Sequence, residues 1–60
     1  MNDEDKTAAF YHPIKKQLYT GTIIGREMAQ GINMFKLSYV DGNQKLVAYV
    51  SPKNVIKFEN

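Results

Sequence analysis

The chain has 60 residues, too few for two hydrophobic cores, because a domain of this size buries only about 60% of the surface that its unfolded chain exposes. It contains no cysteine, which excludes a disulfide framework, a thiolate zinc site and a cysteine nucleophile. Hydrophobic residues make up 43% and charged residues 23%, with a net charge of +2, which is the composition of a globular domain. Apolar runs are far shorter than the roughly 20 residues that span a bilayer, so we expect no membrane partner.

Five of the first six residues are polar, and three of these are acidic. They lack the basic start and the apolar stretch of a secretory signal, so we expect an intracellular protein with a disordered acidic tail over residues 1–6. The tail holds one of the eight basic and three of the six acidic side chains, which leaves residues 7–60, the single predicted domain, with a net charge of about +4. This surplus would help the domain approach nucleic acid or an acidic partner.

The first two predicted strands are rich in β-branched and aromatic residues. The first is Thr7–Tyr11, which ends before Pro13 because proline removes a donor from the strand ladder. After a loop, the second covers Leu18–Ile24, with Tyr19, Gly21 and Ile23 on one face. The glycine within this strand predicts a bulge or bend there.

The rest of the chain continues the same pattern of short strands and turns. Residues Gly25–Asn33 have glycine near both ends and predict a long hairpin connection. Asp41-Gly42-Asn43 tolerates positive φ, which is a strong hairpin signal. The remaining predicted elements are a strand at Met34–Val40, a strand at Lys45–Val50, a turn at Ser51–Asn54 and a strand at Val55–Phe58. Five short strands predict an all-β domain whose antiparallel sheet curls into a small barrel.

Arrangements typical of enzymes are missing from the sequence. The one histidine, His12, stands beside a proline in a predicted surface loop, with no acid spaced to orient it. The glycines are not followed by the Lys-Ser/Thr of a phosphate loop, and the acids outside the tail are too scattered for a hard-cation cage. We therefore predict no catalysis, no cofactor and no metal.

Three tyrosines stand at predicted strand ends: Tyr11, Tyr19 and Tyr39, the last of them two residues before Asp41. In a small barrel these positions can meet at one rim. A group of rings beside a carboxylate recognises a methylated ammonium, because the ring faces attract the desolvated cation. The alternative interpretation is that the tyrosines are amphipathic core residues whose hydroxyls face water.

The order of these residues resembles the Tudor domain, a member of the SH3-like group of small barrels, over about residues 7–58. The similar motifs are Tyr19-Thr20-Gly21-Thr22-Ile23 and Tyr39-Val40-Asp41-Gly42. The resemblance implies a five-stranded antiparallel SH3-like or Tudor-like barrel that binds a methylated lysine or arginine side chain of a peptide or protein partner, such as a chromatin protein. The implied aromatic cage consists of Tyr11, Tyr19, Tyr39 and Asp41. A Tudor-like domain would be expected in the nucleus, and a domain of another kind in the cytoplasm. The chain has no tryptophan for the first cage position, so Tyr11, or Phe10 if the register slips by one residue, takes that place. Lys45 follows the Asp-Gly turn, where it would lie near the mouth of the cage.

Two further functions stay open at this point. In the first, a basic rim would bind the phosphates of a nucleic acid while the bases stack on the tyrosines. The residues of this rim would be Lys15, Lys16, Arg26, Lys36 and Lys45. The alternative interpretation is that these lysines are solvated, keep a small barrel soluble and prevent its edge strands from pairing with other chains. The third possibility is an assembly module that docks a partner chain through an exposed strand and aromatics. The sequence predicts no oligomeric state.

Overall fold

Residues 6–59 are described by a computed structural model, in which five β-strands form one antiparallel sheet. The strands are β1 (Thr7–His12), β2 (Gln17–Ala29), β3 (Ile32–Asp41), β4 (Gln44–Val50) and β5 (Val55–Glu59), with a short 3₁₀ helix at Pro52–Asn54 before β5. All five predicted strands and the predicted turn at 51–54 are confirmed. No helix in this part of the chain is long and apolar enough to cross a membrane.

The predicted acidic tail lies outside the described residues, except for Lys6. The carbonyl oxygen of Lys6 accepts a hydrogen bond of 2.8 Å from the backbone N–H of Ile23. The last residue of the predicted tail therefore runs alongside β2.

The strand order in the sheet is β4-β3-β2-β1-β5, which leaves β4 and β5 as its two edges. The sheet is therefore not closed into a barrel, and this corrects the closed barrel that the sequence predicts. It is nevertheless curled, because β1 and β4 approach each other although two strands separate them, a distance of about 14 Å in a flat sheet. A small all-β sheet of this kind is consistent with an SH3-like fold.

The core lies on one face of the curled sheet, here called the inner face. Because side chains alternate along a strand, the buried residues of β1, β3 and β4 stand at every second position. The buried apolar residues of the described chain are Ala8, Phe10, Ile23, Phe35, Leu37, Tyr39, Ala48 and Val50. The predicted face of Leu18–Ile24 is confirmed by this burial, and the burial of Met34–Val40 alternates in the same way.

The segment Gly25–Asn33 is not the long connection that we predicted. It extends β2 and β3 into a hairpin that closes through the two residues Gln30 and Gly31, whose φ angles are 53° and 76°. Positive φ at both central positions is the type I′ geometry, which matches the twist of paired strands. The glutamine at the first position conceals this turn in the sequence, since asparagine or glycine is the usual signal there.

The bulge in β2 also differs from its predicted position. Pairing is regular through Gly21 and shifts between Ile23 and Gly25, so Ile24 is the additional residue. Beyond this bulge the alternation of β2 is reversed. Arg26 pairs with Phe35 and thus lies on the inner face, where an unbroken alternation from Ile23 would have placed Gly25.

Candidate functional site

Tyr19 of β2 and Tyr39 of β3 lie side by side at one end of the inner face. Their ring centroids are 4.8 Å apart and the ring planes are inclined by 48°, so the two faces open toward the same space. Asp41 follows Tyr39 by two residues and therefore projects from the same face of β3. We call the group Tyr19, Tyr39 and Asp41 the tyrosine–aspartate site.

Two further rings of β1 surround this site. The imidazole of His12 lies 6.2 Å from the Tyr19 ring and 6.0 Å from the Tyr39 ring, and its plane is inclined to theirs by 72° and 63°. The ring of Phe10, which is fully buried, lies 6.0 Å and 5.5 Å from the same two rings. Phe10 anchors the tyrosines to the core, and His12 forms a third side of the site.

A lysine of the chain itself occupies the tyrosine–aspartate site. The Nζ atom of Lys15 donates a hydrogen bond of 2.8 Å to Oδ2 of Asp41. The same atom lies 5.7 Å from the centroid of Tyr19 and 5.4 Å from that of Tyr39, within the range of a cation–π interaction. Tyr39, over whose ring Lys15 lies, is only 4% exposed.

The loop after β1 is folded so that Lys15 reaches back over the sheet. Nδ1 of His12 accepts a hydrogen bond of 3.2 Å from the backbone N–H of Lys15. The carbonyl oxygen of His12 accepts another, of 2.7 Å, from the backbone N–H of Lys16, whose φ of 58° tightens the turn. His12 thus contributes to the site both as a ring and as the anchor of the loop.

The ion pair shifts the titration of both partners. The hydrogen bond from Lys15 lowers the pKa of the Asp41 carboxyl below its ordinary value, and the same bond raises the pKa of the Lys15 ammonium. Desolvation, together with the charge of Asp41, raises the pKa of the Tyr19 phenol. Asp41 therefore gives the site a negative potential, which stabilises a cation.

The hydroxyl of Tyr19 connects the site to the start of β2. It lies 2.9 Å from Oε1 of Gln17 and 3.3 Å from Oδ2 of Asp41. Its single proton satisfies one of these acceptors at a time. Gln17 therefore provides an alternative partner for the phenol when the carboxylate is engaged with an ammonium.

Of the residues predicted for the cage, the structure brings Tyr19, Tyr39 and Asp41 together and places Tyr11 elsewhere. Tyr11 lies between Phe10 and His12 in β1, so its side chain is on the opposite, outer face of the sheet, where it pairs with Leu18. The ring that β1 supplies to the site belongs to His12. A shift of one residue along a strand exchanges the two faces, and this is the difference between the two assignments.

Of the five residues predicted to contact phosphates, Lys15 and Arg26 lie at opposite ends of the inner face. Lys15 is in the tyrosine–aspartate site, and Lys16 follows it in the loop. The guanidinium of Arg26 lies 5.0 Å from the ring of Phe35, four residues along β3 from Tyr39, which corresponds to about 13 Å.

The other two predicted contacts lie on the outer face. Nζ of Lys36 lies 5.8 Å from the ring of Tyr49, and Lys45 pairs with Val40. Since Val40 alternates with Tyr39 and Asp41, the predicted position of Lys45 at the mouth of the cage is wrong. The five basic residues do not share one rim, and the lysine at the site is Lys15.

Sequence reasoning missed the roles of His12 and Lys15. The sequence contains a signal for His12, which stands two residues after Phe10. This spacing places both side chains on the same face of a strand, the face of the apolar, buried Phe10. Nothing in the sequence indicates that Lys15 rather than Lys16 turns back over the sheet, because that choice depends on the φ of one loop residue.

Comparison of the chain with protein-family models, with characterised protein sequences and with solved structures found no match. Its function must therefore be argued from the site.

Proposed function

We propose that this chain is a non-catalytic binding module, similar in kind to Tudor domains, that takes a methylated lysine or arginine side chain of a peptide or protein partner. The incoming cation would lie over Tyr19 and Tyr39, with Asp41 as its counter-charge and His12 as a third side of the site. This differs from the cage that the resemblance implies only in its first position, where His12 replaces Tyr11.

The observation that supports the proposal is that these residues already hold an ammonium group. The chemistry that stabilises the Lys15 ammonium consists of two ring faces and one carboxylate, and a methylated ammonium uses the same features. Methylation lowers the cost of desolvating the cation and adds apolar surface against the rings. With few rings and a partly open site, we expect dissociation constants between about 10 µM and 1 mM.

An amide NMR titration tests the proposal. The probes are Nα-acetyl-lysine amide with zero to three methyl groups on Nζ, and the corresponding dimethylarginine amide. We expect at least one methylated probe to give saturable shifts at His12, Tyr19, Tyr39 and Asp41. Tyr19→Leu keeps an apolar side chain against the core but removes the ring, and it should weaken binding about tenfold or more.

The matched control is Tyr49→Leu. Tyr49 also has a lysine over its ring, but it lies on the outer face, so its replacement should leave the affinity unchanged. Tyr11→Leu should do the same. Equal affinities of Tyr19→Leu and Tyr49→Leu, or no shift at the site with any probe, would contradict the proposed function.

A further inference from the structure

We infer that Lys15 is a built-in competitor for the tyrosine–aspartate site: its side chain must leave Tyr19, Tyr39 and Asp41 before an external cation can bind there. This inference rests on the proposed function and adds to it a mode of regulation. Any change that removes the positive charge of Lys15, including acylation of its amine, would then open the site.

The contacts of Lys15 are those that an external ammonium would need. Oδ2 of Asp41, 2.8 Å from Nζ, is the acceptor that a partly methylated ammonium would use for its remaining N–H. At 5.7 and 5.4 Å from the two tyrosine centroids, Nζ of Lys15 lies over the same ring faces that an external cation would use. Two like charges at one carboxylate would also repel each other. Binding of Lys15 and of an external cation is therefore mutually exclusive.

The loop makes this competition intramolecular. Two hydrogen bonds to His12 fix the backbone at residues 15 and 16, so the Lys15 side chain remains within reach of Asp41 even when its ion pair is broken. A tethered group has a high effective concentration, which favours it over a free ligand.

The competitor is also weak enough to be displaced. The side chains of Lys15 and Asp41 are 33% and 43% exposed, and ion pairs that are open to water contribute little. An occupant of this strength lowers the apparent affinity by the fraction of molecules in which the site is open. We estimate that fraction at about one third to one tenth, so removing Lys15 should tighten binding about threefold to tenfold.

Lys15→Gln and Lys16→Gln are the variants to compare. Both remove one positive charge from the same loop, but among the described contacts only Lys15 lies over Tyr19 and Tyr39. Lys15→Gln should bind the methylated lysine amide about threefold to tenfold more tightly than the unchanged chain, whereas Lys16→Gln should bind it as the unchanged chain does. If the affinity of both variants rises by the same factor, the cause is the net charge of the loop and the inference is overturned. If neither gains while the unchanged chain binds, the inference fails and the proposed function stands.

A second measurement does not depend on any added ligand. The aromatic faces of Tyr19 and Tyr39 should shift the side-chain proton resonances of Lys15 away from those of Lys16. Asp41→Asn should move the Lys15 resonances toward the Lys16 values, because it removes the carboxylate that holds the ammonium. Lys15 resonances equal to those of Lys16 in the unchanged chain would overturn the inference. If the ring shifts are present but no variant binds any probe, Lys15 occupies the site as inferred, and it is the proposed function that fails.

Discussion

Replacing Gly21 by alanine tests how closely β1, β2 and β3 pack around the core. An added Cβ would lie 2.7 Å from the backbone oxygen of Ser38, 3.2 Å from Cε1 of Phe10 and 3.3 Å from Cβ of Tyr39. Because the shortest contact is with backbone, no side-chain rotation relieves it, and the paired strands must move apart locally. Overpacking of this kind costs about 1–3 kcal/mol.

Part of that cost is offset, because alanine restricts the unfolded chain more than glycine does, by about 0.4–1 kcal/mol. We therefore expect Gly21→Ala to lose about 1–2 kcal/mol of the free energy of unfolding. A domain of this size has a total of roughly 3–9 kcal/mol. The loss should lower Tm by about 5–15 °C.

Gly25→Ala provides the matched control. An added Cβ at Gly25 has no atom within 4 Å, and this glycine is not among those with positive φ. Only the effect on the unfolded chain remains, so the variant should be more stable than the unchanged chain by about 0.4–1 kcal/mol. Urea and thermal unfolding followed by far-UV circular dichroism measure both variants. The reasoning is refuted if Gly21→Ala is as stable as Gly25→Ala.

Two further predictions concern the hairpin turn and the ion pair. Gly31→Ala should destabilise the chain by about 1 kcal/mol in urea unfolding, because φ there is 76°, whereas Gln30→Asn should stabilise it slightly; equal stabilities would contradict the turn assignment. In a carboxyl NMR titration, Asp41 should have a pKa below its ordinary value of 3.8, and Lys15→Gln should raise it toward that value. A depressed pKa stabilises the fold above the ordinary value, so this contribution should disappear as the pH falls through the depressed pKa. An unchanged Asp41 pKa in Lys15→Gln would show that the ion pair does not form in solution.

The sequence predicts most of the fold because the core depends on alternation. Phe35, Leu37 and Tyr39 alternate with Lys36 and Ser38, and this pattern alone determines which face of β3 is buried. The bulge at Ile24 escapes such reasoning, because an additional residue is recognised only from its partner strand. Closure of the sheet is equally hidden, since it depends on whether β4 and β5 meet.

The candidate site was predictable to the extent that it lies on the same alternating strands. Tyr19, Tyr39 and Asp41 are brought together by the register of β2 and β3. His12 was assigned to a surface loop, although β1 continues as far as this residue, and that one additional residue of strand brings the ring into the site. The position of Lys15 depends on loop geometry, for which a single sequence gives no pattern.

The pairing of β1 with β5 has a consequence for how the chain acquires its structure. Thr7 pairs with Glu59, so one side of β1 finds its partner across almost the whole described length. During synthesis on a ribosome, β1 would emerge before β5. Phe10 would therefore lack its neighbour Val55 until β5 has been made. Domains dominated by such distant pairings fold on a scale of milliseconds to seconds, whereas the β2–β3 hairpin needs only local contacts. Although β1 precedes the other four strands, its pairing is therefore among the last to be completed, and the five-stranded sheet is complete only after synthesis of β5.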